Sequence, residues 1–286
     1  MKYLLALLSL AWTAAFADST ATAPSVVPQS QTKTIVFIHG LFLNNKSWEP
    51  WMKYFESKGY KCYAPAYRYH GGDPDSLRKH IDPNLGKFGF QTLVDDLAGI
   101  IDSLPEKPIL IGHSLGGLLV QKLVYMGKAS AGVAIDAGPP KGIFSYKWSF
   151  LKSNLPVINA FKGDKPFIPT VEWFHYAFCN NMTLEETQKQ FNAFVVPESR
   201  NLPRGSRGAA GYVDFAKPHA PLLFIAGEQD HIVPPSLNLK NFKAYTDKNS
   251  KIDFKEFQGR THYICAESKW EEVASYADGW IESLGK

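Results

Sequence analysis

The segment Gly112–Gly116, with the sequence Gly-His-Ser-Leu-Gly, decides the fold through the residues on either side of it. The apolar run Pro108–Ile111 before it predicts a buried strand, and residues 117–126 after it predict a helix that ends at Gly127. A Gly-x-Ser-x-Gly motif between a strand and a helix is typical of a nucleophile elbow, a strained turn that exposes a serine hydroxyl at a helix N-terminus. Its flanking glycines are required because the two positions pass too close together for a Cβ atom. The pattern predicts that Ser114 is a nucleophile.

A serine nucleophile needs a base and an acid, and two later strand ends supply candidates in the order acid, then histidine. The buried strand predicted at Pro221–Ala226 is followed by a loop that contains Asp230. The alternating segment Lys251–Phe257 predicts another strand, and His262 follows it. Open α/β sheets hold their sites at the carboxyl ends of the strands. We therefore expect Asp230 and His262 to complete a Ser-His-Asp triad.

Asp136 is an alternative acid, because it also follows a predicted strand, in the segment Gly132–Pro140. Some proteins of this fold class take the acid from that position. Asp230 is favoured because its loop follows a strand and precedes the start of a helix.

A fourth strand end agrees with this arrangement, since the apolar strand Thr34–Ile38 runs into His39–Phe42. With the elbow, the run Gly227–Pro234 and the later histidine, this turn makes the chain resemble the α/β-hydrolase family over nearly its whole mature length. In that family a His-Gly turn after an early strand directs a backbone amide at the substrate oxyanion. The resemblance implies an oxyanion hole formed by the amides of Leu41 and Leu115.

The alternation of strands and helices predicts an α/β fold with a mostly parallel, doubly wound sheet. The resemblance implies that this sheet has the α/β-hydrolase fold. Strands are expected near 34–39, 60–66, 108–112, 131–136, 221–226 and 251–257, and helices near 48–58, 90–104, 115–126, 235–246 and 270–284.

The alternation breaks down within residues 139–218, which are rich in aromatic residues and proline. A capping box at Thr183 predicts one helix there, ending near Phe194. The resemblance implies that this insertion is a mainly helical cap over the site, and that residues 34–138 and 219–286 form the core.

The N-terminus predicts a targeting segment rather than part of the fold. Residues 1–17 combine a lysine, an apolar stretch and a small-x-small cleavage site, so a signal peptide cleaved after Ala17 is expected. Residues 18–33, rich in Ser, Thr, Ala and Pro, are expected to form a flexible leader. The protein is thus predicted to be exported, to the periplasm or the medium, without a membrane span.

Composition narrows the classes of partner. The formal net charge of +4 and the absence of clustered basic residues argue against nucleic acid. No metal-ligand spacing is found in the sequence, so neither metal nor cofactor is predicted. Three cysteines cannot all pair; a bridge between Cys179 and Cys265 stays open, as does the oligomeric state.

The resemblance implies hydrolysis of a small-molecule carboxylic ester through an acyl-enzyme. Lactone, thioester and C–C bond hydrolysis and perhydrolysis stay open, because all can use this triad. A non-catalytic binding protein on the same fold is disfavoured, since such proteins usually lose triad residues.

Overall fold

A computed structural model describes residues 32–285, and the predicted signal peptide and most of the leader lie outside them. Within these residues the strands form one six-stranded sheet in the order β2-β1-β3-β4-β5-β6, and every neighbouring pair is parallel. The strands are β1 (Thr34–Ile38), β2 (Lys61–Tyr63), β3 (Ile109–His113), β4 (Ala131–Ile135), β5 (Leu222–Gly227) and β6 (Ile252–Phe257). The predicted α/β fold with a parallel sheet is confirmed.

Helices connect the strands and flank the sheet. They are α1 (Glu49–Ser57), α2 (Pro74–Lys79), α3 (Phe90–Asp102), α4 (Leu115–Tyr125), α5 (Trp148–Ile158), α6 (Val171–Ala177), α7 (Leu184–Phe194), α8 (Asn201–Gly205), α9 (Pro235–Ala244) and α10 (Trp270–Ser283). None of these helices, within residues 32–285, is long and apolar enough to cross a membrane.

The sheet has an apolar core on each face, because successive strand side chains point to opposite sides. Ile35 and Phe37 of β1 pack with the aromatic residues of α1 and with α10. Val36 and Ile38 of the same strand pack with α3, α4 and residues of the inserted helices. Burial of both faces explains why the central strands are continuous apolar runs.

The strand order reverses direction between β1 and β3, which are neighbours although β2 lies between them in sequence. Crevices at such a switch point, outside the carboxyl ends of the strands, are the usual ligand sites of open α/β sheets. The turn after β1 contains Leu41, and the turn after β3 contains Ser114.

The connection between β4 and β5 contains α5, α6, α7 and α8. The sequence predicted α7, whose capping box is present, but missed the other three. Pro156 lies inside α5, Pro203 lies inside α8, and α6 has only seven residues, so none shows a long apolar period.

Two local predictions need correction. β2 ends at Tyr63, three residues before the predicted end, since Pro65 follows in an edge strand and cannot donate to a ladder. Helix α2 was not predicted from the sequence. Asp73 caps it by accepting a hydrogen bond from the Ser76 amide, and Pro74 is its first residue.

Candidate active site

The turn at Ser114 is strained and tightly packed. Ser114 has φ 57° and ψ −118°, a conformation that costs a non-glycine residue about 1–3 kcal/mol. A Cβ atom at Gly112 would lie 2.3 Å from the carbonyl oxygen of Gly116, and one at Gly116 would lie 2.1 Å from that of Ile38. The predicted need for both glycines is confirmed. The turn places Ser114 at the N-terminus of α4, where it is buried in the wall of a cavity.

The turn after β1 lies directly against Ser114. A Cβ atom at Gly40 would be 2.9 Å from the Cβ of Ser114. The amide of Leu115 belongs to the first residue of α4, where no intrahelical acceptor exists. Within residues 32–285 neither this amide nor that of Leu41 donates a hydrogen bond. Two unengaged amides beside a serine can accommodate a negatively charged oxygen.

His39, at the start of this turn, is a neutral structural residue. Its Nδ1 donates to the carbonyl of Gly40, 2.9 Å away, and its Nε2 accepts from the amide of Tyr67. Burial lowers the pKa of His39 to about 3. Its ring stacks on Tyr67, whose hydroxyl donates to the His39 carbonyl.

Asp230 and His262 are joined by a short hydrogen bond between buried side chains. Nδ1 of His262 lies 2.6 Å from Oδ2 of Asp230, while Oδ1 accepts from the amides of Ile232 and Val233, each at 2.8 Å. The bond fixes the tautomer with the proton on Nδ1, which leaves Nε2 as an acceptor. Among the described residues Nε2 has no hydrogen-bond partner.

Of the three predicted triad residues, two are in hydrogen-bond contact in the described part of the chain. The structure brings Asp230 and His262 together, whereas no hydrogen bond within residues 32–285 joins Ser114 to His262. All three follow carboxyl ends of strands in the same sheet.

His113 supports the position of His262, a role that the sequence did not predict. Its Nε2 donates to the carbonyl of His262 at 2.7 Å, and the two ring centres are 4.6 Å apart. Burial, followed by the neighbouring His262, lowers the pKa of His113, so the ring is neutral. On the other side, Phe178 contacts the His262 ring edge to face. In the sequence, only the position of His113 directly before Ser114 could have indicated this role.

Asp136 lies near Asp230 and is fully buried directly after β4. Its Oδ1 accepts from the amide of Gly227 at 2.7 Å, while its Oδ2 has no hydrogen-bond partner among the described residues. Burial, and next the charge of Asp230, raises the pKa of Asp136 well above its ordinary value. The raised pKa favours a protonated Asp136, because two neighbouring buried carboxylates repel each other.

Of the two carboxyl groups, Asp136 and Asp230, the hydrogen bonds favour the negative charge on Asp230. Burial raises the pKa of Asp230, but the hydrogen bonds from the amides of Val233 and Ile232 oppose that rise. Asp136 has a single amide donor. Burial also lowers the pKa of His262 well below its ordinary value, which favours the neutral imidazole.

His113, Asp136 and His262 are also the described side chains that could jointly ligate a metal. Their ligand atoms lie within 4.8 Å of one another. Each residue takes part in the hydrogen bonds above, while Oδ2 of Asp136 and Nε2 of His262 have no hydrogen-bond partner among the described residues.

An apolar cavity of about 120 Å³ opens beside Ser114. Leu41 and Leu115 lie in its wall next to the serine. The remaining wall comes largely from the connection between β4 and β5, including Ile143, Phe144, Phe150, Leu151, Leu155 and Ile158. Asn154 is a polar group in the wall, but its amide donates to the carbonyls of Phe150 and Ile232.

The three cysteines are free thiols in this structure. The bridge between Cys179 and Cys265, which the sequence left open, is not formed here.

His231 follows Asp230 in the sequence, but its side chain is directed at another part of the chain. Its Nδ1 donates to the carbonyl of Tyr176 at 2.8 Å.

Comparison with known proteins identifies a family and similar individual proteins. The model described as "Alpha/beta hydrolase family" matches residues 35–276. A non-heme chloroperoxidase of Kitasatospora aureofaciens is 28% identical over 257 residues, covering 82% of this chain and 86% of that protein.

Solved structures share the fold at lower identity. The monoacylglycerol lipase of Paleococcus ferrophilus has a TM-score of 0.64 at 20% identity, over 88% of this chain and 94% of that one. Polyneuridine aldehyde esterase has a TM-score of 0.64 at 18% identity, over 90% of this chain and 100% of that one.

Proposed function

Since this chain belongs to the alpha/beta hydrolase family, we propose that it is a carboxylic-ester hydrolase with Ser114, His262 and Asp230 as its triad. The observation that carries the proposal is the 2.6 Å hydrogen bond between Asp230 and His262, which leaves a buried acceptor nitrogen free. In this proposal the nitrogen accepts the hydroxyl proton of Ser114, the strained residue at the same end of the sheet.

The reaction begins when Oγ of Ser114 attacks the ester carbonyl carbon and Nε2 of His262 takes the hydroxyl proton. The amides of Leu41 and Leu115 donate to the oxyanion, and Asp230 stabilises the imidazolium. As the C–O bond breaks, His262 returns the proton to the leaving alcohol. His262 then deprotonates water, which attacks the acyl carbon. As the bond between this carbon and Oγ of Ser114 breaks, His262 returns the proton to Oγ, and the acid and free Ser114 are released.

Residues 139–218 are proposed to act as a cap that selects the substrate. The cavity beside Ser114 is largely apolar and derives much of its wall from this segment. Apolar walls with few polar groups bind apolar acyl or aryl groups. We therefore assign small-to-medium apolar esters as the substrate class.

Perhydrolysis is a second candidate. The relative from Kitasatospora aureofaciens is named a non-heme chloroperoxidase, a name that points to peroxide chemistry. On the proposed triad, hydrogen peroxide in place of water would attack the acyl-enzyme and release a peracid. Comparing peracid with acid production from one ester, with and without hydrogen peroxide, separates the two reactions.

Export is also proposed, on the composition of residues 1–17. The mature protein is expected to begin at Asp18, and the intact mass of the protein recovered from periplasm or medium tests this.

Hydrolysis of a short-chain nitrophenyl ester tests the function. Ser114→Ala and His262→Ala are each expected to lower kcat by at least about 1,000-fold, and the double variant no further, because the residues act as a unit. His219→Ala is the matched control, since this partly buried histidine bonds Ala220 and packs on Tyr245 outside the site. Most activity remaining in either single variant would overturn the triad.

A further inference from the structure

Glu198 is a fully buried carboxylate outside the proposed triad. It lies between α7 and α8, and its backbone pairs with that of Phe167 in both directions, at 2.8 and 2.9 Å. Its side chain reaches the turn after β1, where Oε2 accepts from the amide of Phe42 at 3.3 Å. Oε1 accepts from the amide of Ser199 at 2.7 Å. A residue of the inserted segment thus holds the backbone immediately after Leu41.

Glu198 is paired with a second buried group, His70. Nε2 of His70 lies 3.0 Å from Oε2 of Glu198, and both side chains have 0% exposure. Nδ1 of His70 donates to the carbonyl of Arg68 at 2.8 Å, so the nitrogen facing Glu198 gains its proton when the ring is charged. Burial alone lowers the pKa of His70, but the charge of Glu198 and the hydrogen bond to it outweigh burial and raise it.

The turn needs this support because Phe42 has φ 68°, the left-handed region that side chains disfavour. Both backbone groups of Phe42 are held by the same segment: its amide by Glu198, and its carbonyl by the amide of Val196 at 2.8 Å. Leu43 also bridges to Val195. The peptide before Phe42 carries the carbonyl of Leu41, so rotation at Phe42 would turn the Leu41 backbone as well.

We propose that Glu198, paired with His70, is a positioning residue that holds the oxyanion turn in its working conformation, an inference that rests on the proposed ester hydrolysis. The carboxylate keeps the amide of Phe42 aimed away from the cavity. The amide of Leu41 then stays directed at the oxyanion beside Ser114. The inserted segment therefore contributes to the reaction as well as to substrate selection.

Kinetics of three variants test this inference. Glu198→Ala is expected to lower kcat by about tenfold or more with little change in KM, because a misdirected oxyanion donor weakens the transition state more than the bound substrate. Glu198→Gln keeps an acceptor oxygen for Phe42 and should lose only part of that rate. Ser199→Ala is the matched control. Ser199 belongs to the inserted segment, and its buried hydroxyl donates to the carbonyls of Gly86 and Phe88 but does not touch the turn after β1.

Equal kcat losses in Glu198→Ala and Ser199→Ala, or a change confined to KM, would overturn the inference. If Glu198→Ala does not fold, Glu198→Gln decides by the same comparison with Ser199→Ala, with an expected kcat loss of about threefold or more.

The affinity of a trifluoromethyl ketone inhibitor is a second measurement, and it should stay unchanged if Glu198 has only a structural role. The inhibitor forms an oxyanion on the serine, so its affinity should fall with kcat across the Glu198 variants. Failure of the proposed function looks different, since the wild-type protein would then neither hydrolyse the ester nor bind this inhibitor.

Discussion

Asp136 and Asp230 are two buried carboxyl groups that follow adjacent strands, and the charge of Asp230 contributes to raising the pKa of Asp136. Two neighbouring buried carboxyl groups do not readily ionise together, because their like charges repel, so one of them keeps a proton. Since Asp230 also binds His262 and two backbone amides, the structure favours Asp136 as the neutral partner.

The first prediction separates the roles of these two acids. Asp230→Asn should lower kcat on the order of 1,000-fold or more, because the tautomer of His262 is no longer fixed. Asp136→Asn should cost about fivefold at most, because the Asn side chain is uncharged and its oxygen can still accept from the amide of Gly227. Steady-state kinetics on one ester, with circular dichroism to verify folding, compares them. The reverse order of losses would assign the acid to Asp136.

The second prediction concerns pH. Burial lowers the pKa of His262, and a base must be neutral to accept the Ser114 proton. The acid limb of kcat/KM should therefore lie below 6.5, the ordinary value for histidine. A pH profile of kcat/KM between about pH 4 and 9 measures it. An acid limb clearly above the ordinary value would contradict this assignment of His262.

The third prediction tests the packing of the oxyanion turn. Gly40→Ala would place a Cβ 2.9 Å from that of Ser114, so the turn or the serine must move. A displacement of about 1 Å at a reacting group can cost about 100-fold in rate, and a loss of that order is expected.

Gly99→Ala is the matched control, since a Cβ there meets no heavy atom within 4 Å and Gly99 lies inside α3. It should leave the rate unchanged and stabilise the protein by about 0.5–1 kcal/mol. Full activity in Gly40→Ala would show that the turn tolerates displacement.

The parts of the fold that local sequence determines were predictable. The strands before Ser114, Asp230 and His262 are short apolar or alternating runs that end in loops, and the observed ends lie within two residues of those predicted. Glycine requirements at Gly112 and Gly116 also followed from the motif.

Contacts between distant segments were not predictable. Glu198 meets His70 across 128 residues of sequence, and no local pattern marks either residue. The hydrogen bond between His113 and the carbonyl of His262 spans 149 residues and depends on the fold. The short, proline-containing helices of the insertion lack the period that identifies a helix.

The fourth prediction concerns substrate length. The cavity beside Ser114 holds about 120 Å³ and is walled by the inserted segment, so it favours short and medium acyl chains. Rates for acetate, butyrate and octanoate esters should exceed the rate for an emulsified palmitate ester. A rate that keeps rising with chain length, with a jump above the solubility limit, would indicate a lipase instead.

The central claim, that Ser114 is an activated nucleophile, is tested most directly by covalent labelling with a fluorophosphonate, followed by mass spectrometry of the peptides. The account predicts one adduct, on Ser114, that is lost in Ser114→Ala and forms far more slowly in His262→Ala. An unmodified Ser114 in the folded wild-type protein, or equal labelling of His262→Ala, would contradict it.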